Sequence, residues 1–277
     1  MLMQPSPPTT PSTYAPSISG SDGATRAAET FLSLLAAADF GGIARLFADK
    51  AVVDQPVWGT ARGRAEIQVM VSRAGGWLAD RKAAVRHVAT TSNGQRAVAE
   101  LALRLAIDGR SIELPVAVVA ESRAECVSAI RTYHSTWPMR GTHGLRTPVL
   151  PHDPAIVVPG IFEHYQRALA AGDLEGILDA YEDDGYAREP SAGEYVYRGK
   201  ARLRQIYTMQ FMRGGIPLEY CSLTDDGSRC AIEYNCVRWG KTEIIPQAGI
   251  AVYERGKTGR VAAARIYDDI SPPGPPA

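Results

Sequence analysis

The sequence predicts an α+β protein made of two tandem copies of one domain, and three observations carry that prediction. Asp39 and Asp173, Arg131 and Arg265, and Tyr133 and Tyr267 are each 134 positions apart. Within each copy, apolar residues first recur at helical spacing and then fall into short β-type runs. Asn93-Gly94, Asp108-Gly109 and Asp226-Gly227 separate those runs and are favoured hairpin turns. An offset kept over most of a half-chain is the mark of a duplicated unit. Gly63 and Gly199 are 136 positions apart, so the second copy gains a short insertion before that glycine and loses it later.

Residues 1–22 are rich in Pro, Ser and Thr and have neither a basic nor an apolar leader region. They read as a disordered tail, not a signal peptide. The first domain is assigned to residues 23–138. Ala24 to Ala37 carries Ala27, Phe31, Leu34 and Leu35 on one helical face, and Asp39 starts the next turn. Ile43, Leu46 and Phe47 form the apolar face of a second helix. Gly63 opens a third helical stretch over Arg64 to Arg73. Four β-type runs follow at Ala83 to Thr90, Arg96 to Ala106, Ser111 to Glu121 and Cys126 to His134.

Between Pro138 and Pro159 the periodicity breaks, and Gly141, Gly144, Pro148, Pro151 and Pro154 mark a linker, assigned to residues 139–155. The second domain, residues 156–271, repeats the plan. Helices are predicted at Ile156 to Ala170, Leu174 to Tyr181 and Lys200 to Met212. Strands are predicted near Pro217 to Thr224, Arg229 to Arg238, Thr242 to Glu254 and Arg260 to Asp268. Residues 272–277, rich in proline, cannot join a sheet and form a second tail. Three helices packed into the concavity of a curved antiparallel sheet leave a cone-shaped cavity, and polar groups lining it are the candidates for chemistry.

Composition removes several function classes. The chain has 277 residues, 45% hydrophobic and 22% charged, with thirty basic residues balanced by thirty acidic ones. Zero net charge supplies no pull toward nucleic acid or an anionic membrane. No apolar run approaches the roughly 20 residues that span a bilayer. Cys126, Cys221, Cys230 and Cys236 show no C-x-x-C spacing and read as small core hydrophobes in a reduced, cytoplasmic setting. His134 and His164 are isolated, so no metal site is expected.

The run Phe162-Glu163-His164-Tyr165, then Ala170-Ala171-Gly172-Asp173-Leu174-Glu175-Gly176-Ile177, then Arg188-Glu189-Pro190, resembles the opening of ketosteroid isomerase and its NTF2-like relatives. These include SnoaL-like polyketide cyclases and the small epoxide hydrolases of polyether biosynthesis. The first copy shares the pattern more loosely, so the resemblance extends over nearly all of the chain outside tails and linker. It implies two cone-shaped NTF2-like domains, each of three helices on a curved antiparallel sheet. It identifies the fold well and the reaction poorly.

In the isomerase a first-helix Tyr donates to a developing oxyanion, and an Asp before a Pro shuttles the proton. Tyr165 and Glu189 stand at those positions. A buried carboxylate can act as a general base near neutrality, and a phenol opposite it can stabilise negative charge. The isomerase's third residue, a protonated Asp on a late strand, aligns near Gly249, which argues against a simple steroid isomerase. The epoxide hydrolases use two carboxylates. Glu189 would be one and Glu219 the other, with Asp268 or Asp269 as substitutes. In the first copy Phe31 replaces Tyr165 and Gln55 replaces Glu189, although Asp54 and Asp80 leave an acid pair open. That copy is expected to be mainly structural. Arg131 and Arg265 are expected to pair with acids at the domain seam; Tyr234 and Trp239 can wall the cavity, although an aromatic in a strand is more often a core residue.

The resemblance thus implies a cofactor-independent cyclase, isomerase or epoxide hydrolase acting on a hydrophobic small molecule such as a polyketide or terpenoid. The alternative is a non-catalytic ligand-binding or scaffold protein. A pocket plugged by Tyr207, Met209 or Met212 would favour that alternative. Relatives dimerise through their sheets, so two copies in one chain imply an internal pseudo-dimer and a monomer in solution.

Overall fold

The computed structural model describes residues 20–123, 126–191 and 195–270. Of the expected tails, residues 1–19 and 272–277 lie outside the described residues. Helix α1 (Gly20–Ala36) already begins inside the stretch expected as tail. It is followed by α2 (Phe40–Leu46), β1 (Phe47–Gln55), β2 (Gly59–Arg62), α3 (Gly63–Asp80), β3 (Ala84–Ser92), β4 (Arg96–Ile107), β5 (Arg110–Arg123) and β6 (Cys126–Tyr133). A one-turn helix, α4 (Trp137–Arg140), leads into the connection. The second copy comprises α5 (Gly160–Ala171), α6 (Leu174–Ala180), β7 (Tyr181–Arg188), β8 (Val196–Arg198), α7 (Gly199–Gln210), β9 (Leu218–Asp225), β10 (Arg229–Trp239), β11 (Thr242–Arg255) and β12 (Val261–Tyr267).

The two tandem α+β domains are therefore as predicted, with wider sheets. Each sheet has six strands, ordered β2-β1-β6-β5-β4-β3 and β8-β7-β12-β11-β10-β9. The four predicted strands of each copy form an antiparallel meander. The two additional strands, β1–β2 and β7–β8, join through parallel pairs, β1 with β6 and β7 with β12. They escaped the sequence reading because their pattern is broken. In β7 the acids Glu182, Asp183 and Asp184 interrupt any alternation, and the register shifts between Val261 and Ala263. The repeated Asp39 and Asp173 cap the second helix of each copy, accepting from the backbone nitrogens of Gly42 (2.7 Å) and Gly176 (3.0 Å).

Each domain has its own core between its helices and the concave face of its sheet. Phe31, Leu35, Leu101 and Ile130 anchor the first; Phe162, Ile177, Leu203 and Tyr253 anchor the second. A third apolar cluster joins the outer sheet faces: Val98, Ala117 and Val119 of one domain against Ala231, Ile250 and Val252 of the other.

Two ion pairs, related by the repeat, are buried at this seam. Arg131 donates through Nε and Nη2 to both oxygens of Glu233, at 2.6 and 2.7 Å. Arg265 donates in the same fork to Glu100, at 2.5 and 2.8 Å. Tyr133 adds a bond to Glu233 and Tyr267 one to Glu100, both at 2.7 Å. All four charged residues are at most 5% exposed. Burial works to raise the Glu233 carboxyl, but the Arg131 guanidinium, with bonds from Ser222 and Tyr133, holds it down at about 2.

A depressed carboxyl contributes stability that is present above its unfolded value and lost as pH falls through the folded one. Stability is thus expected to drop between about pH 4.5 and pH 2, and the drop should be smaller in Glu233→Gln, as read by urea unfolding; Glu121, Asp225 and Asp269, also held down, keep part of it. Arg131→Met alone should cost about 3–5 kcal/mol, while Arg131→Met with Glu233→Met should cost much less than the sum of the two. Because the sheet faces cover one another, sedimentation velocity should show a monomer, and a concentration-dependent dimer would count against this.

Candidate active site

The concave side of the second domain encloses a cavity of about 370 Å³, within the range of small-ligand sites. Leu169, Ile206, Ile216, Leu218 and Ile266 make its apolar wall. Tyr165, Glu189, Tyr234, Trp239 and Asp268 also line it. Three of the four predicted site residues, Tyr165, Glu189 and Asp268, are thus brought to one space from α5, from the end of β7 and from the end of β12. Tyr234 and Trp239, for which a core place was the commoner reading, line the cavity as well.

Glu219 is not. It alternates on β9 with Leu218, which lines the cavity, so the pleat sends Glu219 to the other face of the sheet, into a surface cleft with Arg238 and Glu243. Asp269 is also no cavity acid: next to Asp268, it turns toward the connection between the domains. The plug that would favour a non-catalytic role is not there: Tyr207 lines the wall of the open cavity. Met209 is 50% and Met212 79% exposed, which puts both at the rim.

Tyr165 is buried, and its hydroxyl lies 2.7 Å from that of Tyr207, which lies 2.8 Å from that of Tyr181. Tyr181 does not line the cavity, whereas Tyr207 and Tyr165 do. If Tyr181 donates to Tyr207 and Tyr207 to Tyr165, the Tyr165 proton is left for an acceptor in the cavity. Such chains polarise one another and strengthen the last donor. Burial pushes all three phenols up, so they stay protonated at neutral pH.

Gln210 on α7 donates through Nε2 to Oε1 of Glu189, and the Trp239 indole nitrogen donates to the Gln210 carbonyl at 2.9 Å. Burial, and then the nearby Asp268 charge, push Glu189 up to about 7 against the bond from Gln210. Asp268 accepts from the Tyr234 hydroxyl at 2.6 Å, and burial raises it to about 6. A Cβ at Gly249 would stand 2.7 Å from the Tyr234 ring and 2.8 Å from the Asp268 Cβ. The position without a carboxyl is therefore the one whose space Tyr234 and Asp268 need. Tyr181 and Gln210 were missed as site residues, and Tyr207 was named only as a plug of the pocket. The one signal for Tyr207 was its place on the apolar face of α7 with Leu203 and Ile206.

The first domain is built differently at each matching point. Phe31 is fully buried, and Gln55, Thr132 and His134 border a cavity of only about 50 Å³ walled by Trp58, Trp77 and leucines. His134 stands 134 positions before Asp268; burial brings it down to about 4, so it is neutral. Asp54 points away and pairs with Arg146 at 2.6 Å, and Asp80 ends α3 on the surface. No acid pair faces that cavity. Among the described residues, no group of three or more His, Cys, Asp and Glu is placed to hold a metal ion. None of their helices is long and apolar enough to cross a membrane.

Groups with raised carboxyl pKa values contribute stability that is full below their unfolded value and lost as pH rises through the folded one. The two cavity acids therefore weaken the fold as pH climbs past about 6 and 7. Glu189→Gln is expected to raise the melting temperature at about pH 8 by about 5 °C and to leave it nearly unchanged at about pH 4. Differential scanning calorimetry at the two pH values checks this, and equal shifts at both would contradict the raised pKa.

A family model described as the SnoaL-like domain matches residues 28–127 and 162–264, one segment in each domain. No curated protein matches. Among solved structures, an LEH-like epoxide hydrolase from M. tuberculosis is similar at 21% identity, covering 42% of this chain and 81% of its own, with a TM-score of 0.35. RV0760c from Mycobacterium tuberculosis, in complex with estradiol-17beta-hemisuccinate, is similar at 18% identity over 40% of this chain and 92% of its own, TM-score 0.33. SalBIII, an epoxide hydrolase/cyclase-like enzyme in pyran ring formation in polyether salinomycin, is similar at 11% identity over 37% and 82%, TM-score 0.31.

Proposed function

The chain belongs to the SnoaL-like domain family, and from that premise we propose that its second domain is a cofactor-independent enzyme for proton transfer on a hydrophobic small molecule, of the polyketide or terpenoid kind. The observation that carries this reading is the convergence of Tyr165, Glu189 and Asp268 on one apolar cavity, with both carboxyls raised toward neutral pH. In the reaction, the Glu189 carboxylate takes a proton from the carbon next to a substrate carbonyl. The electron pair moves onto the carbonyl oxygen, which accepts the Tyr165 proton as a hydrogen bond. The enolate then takes the proton back from Glu189 at another carbon, an isomerisation, or its carbon bonds to a second carbonyl carbon, whose oxygen receives the electron pair and takes that proton from Glu189, a cyclisation. Glu189 suits the base because Gln210 engages its Oε1, whereas Asp268 already accepts from Tyr234 through Oδ2 and from the Ile270 nitrogen through Oδ1.

A second reading, acid–base opening of an epoxide, is favoured by one observation. Two carboxyls, Glu189 and Asp268, line one cavity and both are raised toward neutral pH, so one can hold a proton to donate while the other, ionised, activates water. A non-catalytic binding role is disfavoured, because the cavity is not plugged and its acids destabilise the fold. The first domain, with a small cavity and no facing acid, serves as the structural partner.

The test is incorporation of solvent deuterium next to the carbonyl of a bicyclic ketone, α-tetralone, followed by NMR. The native chain should catalyse exchange, with a rate that rises through about pH 7 as Glu189 ionises. Glu189→Gln should lower it by about 10²–10⁴-fold and Tyr165→Phe by about 10²–10³-fold. A bell-shaped profile for styrene oxide hydrolysis, with no exchange, would favour the epoxide reading. Full activity in Glu189→Gln would remove both.

A further inference from the structure

Asp268 reaches the cavity from a short segment after β12, and the next residue shows what holds that segment in place. Asp269 is 5% exposed and accepts four hydrogen bonds, all from residues 135–144. Its Oδ1 accepts from Ser135 Oγ at 2.6 Å and lies 2.9 Å from His143 Nδ1. Its Oδ2 accepts from Thr136 Oγ1 at 2.5 Å and from the Gly144 nitrogen at 2.6 Å. His143 in turn stacks on Trp137, with ring centroids 4.9 Å apart. A Cβ on Gly144 would meet Asp269 Oδ2 at 3.1 Å and Thr136 Oγ1 at 3.2 Å, so the glycine lets the backbone approach this closely. Ser135 and Asp269 occupy equivalent positions in the two copies, 134 apart, so the strand ends are tied to each other directly.

We propose that Asp269 is a positioning residue for the second domain's site, and that the end of the first domain and the start of the connection, through Ser135, Thr136, His143 and Gly144, hold Asp268 at its place beside Tyr234. This rests on the reading of Asp268 and Glu189 as a coupled pair in the cavity. Consecutive residues share a backbone: with Asp269 clamped on one side, the Asp268 side chain is directed to the other, where Tyr234 and the Ile270 nitrogen receive it. When the clamp is released, Asp268 is free to leave Tyr234, and its charge no longer bears on Glu189. The first domain is then more than a cover for the second domain's sheet, because it supplies the donors that set the site's second carboxyl.

The test reads the titration of Glu189 in the full-length chain by carboxyl ¹³C NMR after glutamate labelling, with the resonance assigned by its loss in Glu189→Gln. The decisive variant is Ser135→Ala with Thr136→Val, which changes no charge. The groups acting on Glu189 are Asp268, Gln210 and the phenols Tyr165, Tyr197 and Tyr207, and none is altered. Those acting on Asp269 include His143, His134 and Asp268, also unaltered.

The expected result is a Glu189 midpoint lower than in the native chain and shifted toward that of Asp268→Asn, which removes the neighbouring charge outright. Binding of 2-naphthol, followed by its fluorescence, should weaken by about threefold or more, while Ser135→Thr, which keeps the hydroxyl, should behave as native. An unchanged Glu189 midpoint in Ser135→Ala with Thr136→Val, with only a lower melting temperature, would overturn the proposal. If that double variant does not fold, Thr136→Val alone is read the same way. Because the titration needs no turnover, it stands or falls apart from the deuterium-exchange result.

Discussion

Two buried ion pairs fix how this molecule is assembled. A forked Arg–Glu contact with both partners almost fully out of water is costly to make and costlier to break, because removing one partner strands the other charge. Here the contact is made twice, Arg131 with Glu233 and Arg265 with Glu100, and each pair bridges the two domains. Such a pair tolerates little displacement, so it sets the register of the two outer sheet faces, and the apolar cluster around Val119 and Ile250 fills the space between. With the convex faces spent on each other, each domain's concave side is left to its own helices, and that is where the cavities lie.

The two copies put the same space to different use. In the first, Phe31, Trp58, Trp77 and a row of leucines reduce it to a remnant. In the second, Tyr165, Tyr207, Tyr234 and Tyr253 line the cone, and each is held by a hydroxyl bond that keeps it against the wall. The cavity that remains is buried and mostly apolar, and the burial raises Glu189 and Asp268 into the pH range where a carboxyl can both give and take a proton. That a fold keeps two acids where they weaken it fits a site under functional constraint better than a core under packing constraint.

Much of the fold was legible because duplication writes the same signals twice. The Asp39 and Asp173 caps, the hairpin turns and the apolar faces of α1 and α5 each follow from local chemistry. Tyr165 and Glu189 were legible through their resemblance to a family pattern. What stayed hidden has a physical reason in each case. The strands β1 and β7 carry acids and register shifts that break the alternation by which a strand is read. Glu219 was misplaced because one step along a strand reverses the face, and the sequence does not mark which face is concave. Tyr207 and Gln210 sit on α7, remote in sequence from Tyr165 and Glu189, and only packing makes them neighbours.

The sequence by itself determined the duplication, the α+β plan of each copy, and the replacement of a phenol and an acid by Phe31 and Gln55. These are matters of residue type and spacing, which a chain carries with it unfolded. Only the tertiary structure decided which carboxyl shares a cavity with Glu189. It chose Asp268 over Glu219 because the end of β12 runs beside Tyr234 and the bare backbone of Gly249, where a carboxyl finds both space and a donor. Distance through space and the loss of water set that outcome, and neither quantity exists until the sheet has closed around the cavity.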